Sequence, residues 1–237
     1  MAPHVQRRYS DLGGKVVSAL SKPESSVRNV CITRELLRVG RNDVRPSTAE
    51  LTTRGASPRS ALLVIMVTDL SGFTQLLTRI GDVRARQTLR IHDTLLREAL
   101  TEHEAVCVNH TGDGFVSGFR SVAAAVGCAR AVRERLCTEV TGLRIRIALH
   151  LGEVLTEEER LFGLSVNATF RVCGKAAPDQ IVATQRLREL ASSMGYVFGP
   201  QRKVKLKGFG ARMGISELLT PRQVASAVDA GCDLGSH

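Results

Sequence analysis

Two aspartates lie where a folded chain can bring their carboxylates together. Asp69 follows the continuous apolar run that begins at Ala61 (ALLVIMVT), which is typical of a buried central strand. Asp113 lies in TGDG, between the strand-like segments AVCVNH and FVSGF, so it is predicted at the tip of a hairpin. Taken singly, each favours a structural role, a helix N-cap for Asp69 and a plain turn for Asp113–Gly114. On neighbouring strands, the pair instead favours a site for Mg²⁺ or Mn²⁺, which prefer oxygen ligands.

The segment that follows Asp69 is suited to bind phosphate. Gly72, Phe73 and Thr74 form a turn that opens a predicted helix, and the backbone N–H groups at a helix start can bind phosphate oxygens. Two metal ions beside such a turn can activate a hydroxyl group and stabilise a triphosphate leaving group. The residues therefore predict chemistry on a triphosphate.

The order of the predicted elements explains how the two carboxylates can meet. From Ala61 the chain alternates as βαββαβ, the ferredoxin-like pattern of an α/β (α+β) fold, in which the strands that carry the aspartates are neighbours. Asp82 is a predicted N-cap for a helix that ends near His103, and Ser121 is a predicted N-cap for the next helix. Apolar and polar residues alternate over 143–155, which predicts a strand with one solvent-exposed face. A smaller α/β appendage follows, with a helix over 163–173, a short strand (QIVAT), a short helix (QRLREL), and strands in YVF, KVKLKGF and GISELL.

Composition excludes several other classes of protein. The chain has 237 residues, 43% of them hydrophobic, which is enough to bury a full core. No apolar run approaches 18 residues and the N-terminus lacks the apolar region of a secretory signal, so we expect a cytoplasmic protein without a membrane span. None of the six cysteines forms a CxxC pair, which disfavours a zinc site or a disulfide framework.

The chain divides into three predicted regions. Residues 1–58 form a basic, partly disordered extension in which 27–39 have the pattern of a short amphipathic helix. Residues 59–220 form the folded domain, and residues 221–237 form a flexible tail. The formal charge of +10 is concentrated in the extension, but aromatic residues are only 4% and no nucleic-acid motif is present. A specific nucleic-acid partner is therefore not expected, although a basic arm that binds DNA stays an alternative.

Four motifs carry a resemblance to a known family. In order and spacing, VTDLSGFT (67–74), TGDGF (111–115), VNATFR (166–171) and KLKGF (205–209) resemble the class III nucleotide cyclase catalytic domain of adenylate and guanylate cyclases. The resemblance spans residues 62–219, about two thirds of the chain. It implies a head-to-tail homodimer with sites shared between chains. It also implies an enzyme that converts an NTP to a 3′,5′-cyclic NMP and pyrophosphate with two Mg²⁺ or Mn²⁺ ions per active site.

The resemblance also assigns roles to individual residues. It implies that Asp69 and Asp113, with the carbonyl of Leu70, hold the metals. It implies that Asn167 orients the ribose and that Arg171 meets the phosphates. A phosphate-binding lysine falls at Lys207, with Lys205 as its competitor.

The base that is cyclised stays open. The two base-reading positions of the family fall at Asn109 and at Arg160. Adenylate cyclases usually have Lys at the first position, and the second is often Asp or Thr. An arginine has donors only and cannot accept from the adenine amine, whereas uracil and guanine present carbonyl oxygens to it. ATP is the family expectation. UTP or CTP, as in bacterial antiphage cyclases that resemble this family, is the second, and GTP the third. A non-catalytic nucleotide-binding or dimerisation module is the alternative from another class.

Overall fold

The apolar run after Ala61 becomes the centre of a single sheet. In the computed structural model, which describes residues 58–139 and 143–229, this run lies in strand β1 (Arg59–Ser71). It pairs antiparallel with β4 (Arg144–Glu157) over the whole of its length. Residues 63–67 of β1 are all buried, whichever face they point to, because helices cover both sides of the sheet. The prediction of a buried central strand is confirmed.

Six further strands complete the described sheet. Their order is β2-β3-β1-β4-β6-β8-β7, and β5 pairs with the end of β4. Only the β4–β6 pair is parallel among the described pairs. The remaining strands are β2 (Val106–His110), β3 (Phe115–Phe119), β5 (Arg160–Phe162), β6 (Ile181–Thr184), β7 (Arg202–Lys205) and β8 (Arg212–Glu217).

Helices lie on both faces of this sheet. One face packs against α1, α2, α3 and α5, through buried residues such as Leu76, Leu96, Leu136 and Leu187. The opposite face packs against α4, whose Val166 and Val172 are buried with the odd-numbered residues of β1. The helices of the described ranges are α1 (Phe73–Ile80), α2 (Asp82–Glu102), α3 (Val122–Glu139), α4 (Leu164–Cys173), α5 (Gln185–Ser192) and α6 (Pro221–Asp229).

This architecture confirms the predicted fold class. The core follows the βαββαβ order, with its first helical segment split into α1 and α2 at Gly81, whose φ is +78°. The α/β appendage after it contributes β6, β7 and β8 to the same sheet. Asp69 lies in β1, and Asp113 lies in the turn between β2 and β3. Because β3 pairs directly with β1, this hairpin lies beside the strand of Asp69.

Several local predictions need correction. Asp82 is not the N-cap of α2, because Gly81 holds that position and Asp82 is the first helical residue, without a side-chain cap. Its charge still interacts favourably with the helix dipole. The Ser121 cap is confirmed, since Ser121 Oγ accepts from the N–H of Ala124 at 3.4 Å. The predicted exposed face of β4 is wrong in its middle, where residues 147–149 are all buried because α4 covers that side.

The C-terminal part also differs from the predictions. YVF contributes only an isolated bridge, between Phe198 and Leu218. β7 ends at Lys205, and a turn in which Phe209 N–H donates to the Leu206 carbonyl follows it. The short strand β5 was not predicted, and the first nine residues of the expected flexible tail form α6. The predicted helix over 27–39 lies outside the described residues.

Candidate active site

Asp69 lies near the end of β1, on the sheet face that α4 covers. Alternate residues of a strand point to the same face, and Leu63, Ile65 and Val67 are buried beneath α4. Directly opposite on β4 is Arg146. A guanidinium nitrogen of Arg146 donates to the Asp69 carboxylate, and each side chain is about 30% exposed. The first aspartate therefore has a positively charged partner from its own chain.

Asp113 is held beside Asp69 by the backbone of the β2–β3 hairpin. The Asp113 carbonyl accepts from the N–H of Leu70 at 3.2 Å. One residue further on, a Cβ added to Gly114 would lie 1.9 Å from the Thr68 carbonyl oxygen. The Phe115 N–H donates to the buried Thr68 hydroxyl at 2.9 Å. The hairpin is thus attached to the residues on either side of Asp69, and the structure brings the two aspartates together.

The electrostatics of Asp69 reflect this neighbourhood. Burial raises the pKa of the Asp69 carboxyl above its ordinary value, and the charge of Asp113 raises it further. The Arg146 guanidinium acts in the opposite direction through its charge and hydrogen bond, but does not cancel the rise. Two carboxylates that share one site are a setting in which a divalent cation lowers the free energy by balancing their charge.

The two carboxylates fit a hard cation that takes its remaining ligands from other groups. The carboxylates of Asp69 and Asp113 are oxygen ligands, the type that Mg²⁺ and Mn²⁺ prefer. Across residues 58–139 and 143–229, no three His, Cys, Asp or Glu side chains form a group that could hold a metal. A cation here would therefore take its other ligands from a substrate, from water or from backbone carbonyls, of which that of Leu70 is the predicted one.

The predicted phosphate-binding turn directly follows these residues. Gly72 is the N-cap of α1, with a left-handed φ of +79°, and no side chain caps the helix. Phe73 and Thr74 are its first two residues. The start of α1 thus presents backbone N–H groups close in the chain to Asp69, as phosphate binding requires.

Asn167 and Arg171 lie together, but they point away from the core. Both are exposed residues of α4, one turn apart, and the buried side of the same helix packs on the sheet. Among the residues that the structure describes, no hydrogen bond or ion pair joins either residue to Asp69 or Asp113. Within one chain, the structure does not bring this pair to the carboxylates.

The remaining predicted residues are dispersed over the sheet. Asn109 lies in β2 at one edge of the sheet, opposite Val116. Arg160 is the exposed first residue of β5, opposite Glu157. Lys205 ends β7 at the other edge, and Lys207 follows it in an exposed turn. A single chain therefore does not gather the predicted base-reading and phosphate-binding residues into one pocket.

Arg146 and Thr68 were missed by the sequence analysis. Thr68 fixes the hairpin and Arg146 pairs with Asp69. Thr68 lies within the motif VTDLSGFT but was given no role, and Arg146 lies outside the four motifs. The signal for Arg146 was available, because it is a charged residue between Ile145 and Ile147 in a strand. The signal for Thr68 was only its place beside Asp69.

Comparison with known proteins identifies the family to which this fold belongs. The model of the adenylate and guanylate cyclase catalytic domain matches residues 56–218, so the chain belongs to this family. Members of the family generally use divalent metal ions.

One curated relative and two solved structures show what else the chain is similar to. The serine/threonine-protein kinase pkn2 of Myxococcus xanthus is 30% identical over 158 residues, which are 61% of this chain and 19% of that protein. The chain thus spans about a fifth of that curated relative. The structure of the adenylyl cyclase CyaB from P. aeruginosa matches with a TM-score of 0.61 at 17% identity, over 71% of this chain and 98% of that one. An adenylate/guanylate cyclase/hydrolase from Silicibacter pomeroyi matches with a TM-score of 0.61 at 21% identity, over 69% and 99%.

No helix of the described ranges has the length and apolar character that crossing a membrane requires.

Proposed function

We propose that the protein is a nucleotide cyclase that converts an NTP to a 3′,5′-cyclic NMP and pyrophosphate. The observation that carries this proposal is the attachment of the Asp113 hairpin to the strand of Asp69, which places two carboxylates beside the uncapped start of α1. Bound divalent cations, Mg²⁺ or Mn²⁺ and two per site, would supply activation of the ribose 3′-hydroxyl and charge balance for the triphosphate. Asp69 and Asp113 would hold them, with the Leu70 carbonyl.

The chain's own residues then orient the substrate and compensate its charge. The N–H groups of the Gly72–Thr74 turn bind phosphate oxygens of the triphosphate. Arg146 already faces Asp69, so a bound cation would compete with it for the carboxylate, and its guanidinium would be free to meet a phosphate oxygen. Asn167 positions the ribose, and Arg171 and Lys207 balance the negative charge that develops on the departing pyrophosphate.

We further propose that the working site is shared between two copies of the chain. Asn167 and Arg171 point outward from α4, and Lys207 lies beyond the sheet edge opposite to that of Asn109. A head-to-tail dimer supplies from its second chain what one chain keeps apart. The same symmetry generates two equivalent sites.

For the base, we propose ATP, with UTP, CTP and GTP as alternatives. Asn109 and Arg160 differ from the usual adenine-reading pair, and Arg160 matters only if it is buried against the base. In one chain Arg160 is exposed beside Glu157, so the argument for a carbonyl-bearing base requires the second chain to cover it. A pyrimidine product would in turn favour a role in antiphage signalling.

One experiment tests the activity and the base together. The purified protein is incubated with Mn²⁺, and separately with Mg²⁺, and each of the four NTPs, and products are identified by mass spectrometry. We expect a cyclic mononucleotide and pyrophosphate from at least one NTP, and no product when the metal is chelated. If no NTP is cyclised under any of these conditions by folded protein, the chain is a non-catalytic module.

A further inference from the structure

A hydrogen-bonded network lies behind the hairpin that carries Asp113. The Asp93 carboxylate, on α2, contacts His92 Nδ1 at 3.0 Å and His110 Nε2 at 3.3 Å. His110 ends β2, and its Nδ1 lies 3.2 Å from the backbone nitrogen of Gly112. The network therefore runs from helix α2 through an imidazole into the turn that precedes Asp113.

The contacts indicate which nitrogen of each imidazole carries a proton. A backbone N–H can only donate, so His110 Nδ1 must be the acceptor from Gly112 and His110 Nε2 must carry the proton that it donates to Asp93. An ionised carboxylate can only accept, so His92 donates to Asp93 from Nδ1. Its Nε2 is buried without a hydrogen-bond partner among the described residues.

Asp93 remains ionised in this position. Burial opposes the charge of the carboxylate, but the contacts with His92 and His110 outweigh it and hold the pKa of Asp93 below its ordinary value. An ionised Asp93 accepts from both rings and fixes the tautomer of His110, in the way that a second partner orients a histidine ligand. The ring edge of His110 also contacts Phe115, with ring centroids 4.8 Å apart. The imidazole is thus held on two sides.

We propose that His110, oriented by Asp93, is a positioning residue for the turn Gly112–Asp113, whose aspartate is a proposed metal ligand. Apart from the bond between Gly112 and His110, two backbone hydrogen bonds hold the turn. Thr111 N–H donates to the Gly114 carbonyl, and Leu70 N–H donates to the Asp113 carbonyl. Those bonds fix the turn at its base and at Asp113. The His110 bond fixes the residue between them, Gly112, whose φ of +100° belongs to a glycine with wide conformational freedom.

The role predicts a specific effect on metal affinity. A turn that samples more conformations presents the Asp113 carboxylate less often in the position that binds a cation, so metal binding weakens while the fold persists. The inference rests on the proposed metal site of Asp69 and Asp113. It concerns how that site is positioned and adds no group that touches substrate.

Two substitutions of His110 separate its two hydrogen bonds. In His110→Asn, the amide oxygen can take the place of Nδ1 and accept from Gly112, but the contact with Asp93 is lost. In His110→Gln, the longer amide can reach Asp93 in the place of Nε2, but the acceptor for Gly112 is lost. If the imidazole has only a structural role, the two variants bind Mn²⁺ equally well. If it positions the turn, their Mn²⁺ affinities differ.

The experiment measures Mn²⁺ binding by the full chain without nucleotide, from the loss of the electron paramagnetic resonance signal of free Mn²⁺. We expect His110→Gln to raise the Mn²⁺ dissociation constant by about two- to tenfold, as the loss of one hydrogen bond predicts, and His110→Asn to stay nearer the wild type. Asp93→Asn should weaken binding as well. Asp82→Asn, which removes an exposed carboxylate from the same helix, should not.

Activity gives a second measurement. The Mn²⁺ concentration for half-maximal turnover should rise in His110→Gln, while the KM for the NTP at saturating Mn²⁺ stays unchanged. Circular dichroism verifies that each variant is folded. If His110→Gln and His110→Asn bind Mn²⁺ equally well, His110 does not position the turn, and the proposed metal site is unaffected. If Asp113→Asn binds Mn²⁺ like the wild type, the metal site itself is wrong.

Discussion

The two aspartates of the candidate site are held by different means. The Asp69 carboxylate pairs with Arg146 across the β1–β4 ladder, whereas Asp113 is held through its backbone carbonyl, to which Leu70 N–H donates. Asp69 therefore depends on a charge that a cation can replace. Asp113 depends on the geometry of the hairpin, whose backbone hydrogen bond to Leu70 positions it.

Neutralising either aspartate should abolish turnover. We expect Asp69→Asn and Asp113→Asn each to lower kcat by about 10²–10³-fold or more, because an amide binds a divalent cation weakly and leaves triphosphate charge uncompensated. Both variants should fold because the amide is isosteric with the carboxylate, and burial already disfavours the charged form of Asp69 and raises its pKa. The measurement is cyclase activity with Mn²⁺, with Asp82→Asn as the matched loss of an exposed carboxylate. Wild-type activity in Asp69→Asn or Asp113→Asn would exclude the proposed site.

At the scale of residues, sequence patterns located the carboxylates but not their surroundings. The end of an apolar run and a TGDG turn are local signals, so Asp69 and Asp113 could be singled out. The pairing of Arg146 with Asp69 depends on the register of β1 against β4, which joins residues 77 positions apart. No local pattern contains that register.

At the scale of elements, the hairpin shows why a turn signal can be misassigned. The Asp-Gly pair predicted a two-residue turn centred on 113–114. In the structure the Thr111 N–H donates to the Gly114 carbonyl, so the centre is Gly112–Asp113 and the left-handed residue is Gly112. Gly114 is required for another reason, the close approach of β1, and this is a tertiary contact that the hairpin sequence does not contain.

A methyl group at Gly114 should therefore separate the hairpin from β1. In Gly114→Ala the new Cβ would lie 1.9 Å from the Thr68 carbonyl oxygen and 2.7 Å from its carbon, and backbone atoms cannot rotate away. We expect the free energy of unfolding to fall by about 1–3 kcal/mol or more, with loss of activity. Urea denaturation measures the change. Gly210→Ala, which adds a methyl group in open space, serves as the control, and equal midpoints for the two variants would contradict the argument.

His150 makes the β4–β6 junction sensitive to pH. Its Nδ1 lies 2.9 Å from the Thr184 hydroxyl. Burial lowers the pKa of His150 below its ordinary value, and the charge of Arg186 lowers it further. The unfolded chain therefore takes up this proton at a higher pH than the folded chain, so the free energy of unfolding falls as pH falls below about 6.5.

Removing this titration should flatten the pH dependence. In His150→Asn the amide can still bond to Thr184, but no proton is taken up. We expect the wild type to lose more stability than the variant between pH 7.5 and pH 5.5, as measured by urea denaturation at each pH. Parallel curves for the two proteins would show that His150 does not contribute.

At the scale of the whole molecule, the sheet order sets what one chain can do. The order was predictable for the βαββαβ core, because long apolar runs and strong turn signals specify it. Strand β5 was not predictable, since its three residues follow an acidic stretch and are held by pairing with β4. Helix α6 lies in a segment whose composition resembles a tail. The completed sheet places β2 and β7 at opposite edges, and so separates Asn109 from Lys205 and Lys207.

That separation is the physical reason to expect a shared site. Asp69 and Asp113 belong to one half of the proposed site and are close together, whereas Asn167 and Arg171 belong to the other half and point outward from α4. If the second half comes from the other chain, consider a mixed dimer with Asp69 changed on one chain and Arg171 changed on the other. Both defects then lie in the same site. One of the two sites in such a dimer then stays intact.

Mixing two inactive variants should therefore restore activity. Asp69→Asn and Arg171→Ala are each expected to be nearly inactive, and random exchange of chains makes half of the dimers mixed, each with one intact site of two. The mixture should recover about a quarter of wild-type activity at equal total protein. The matched control mixes Asp69→Asn with Asp113→Asn, whose mixed dimers contain no intact site and should stay inactive. Differential tags on the two variants verify that mixed dimers form. If mixed dimers form and the first mixture recovers no activity, the whole site lies within one chain.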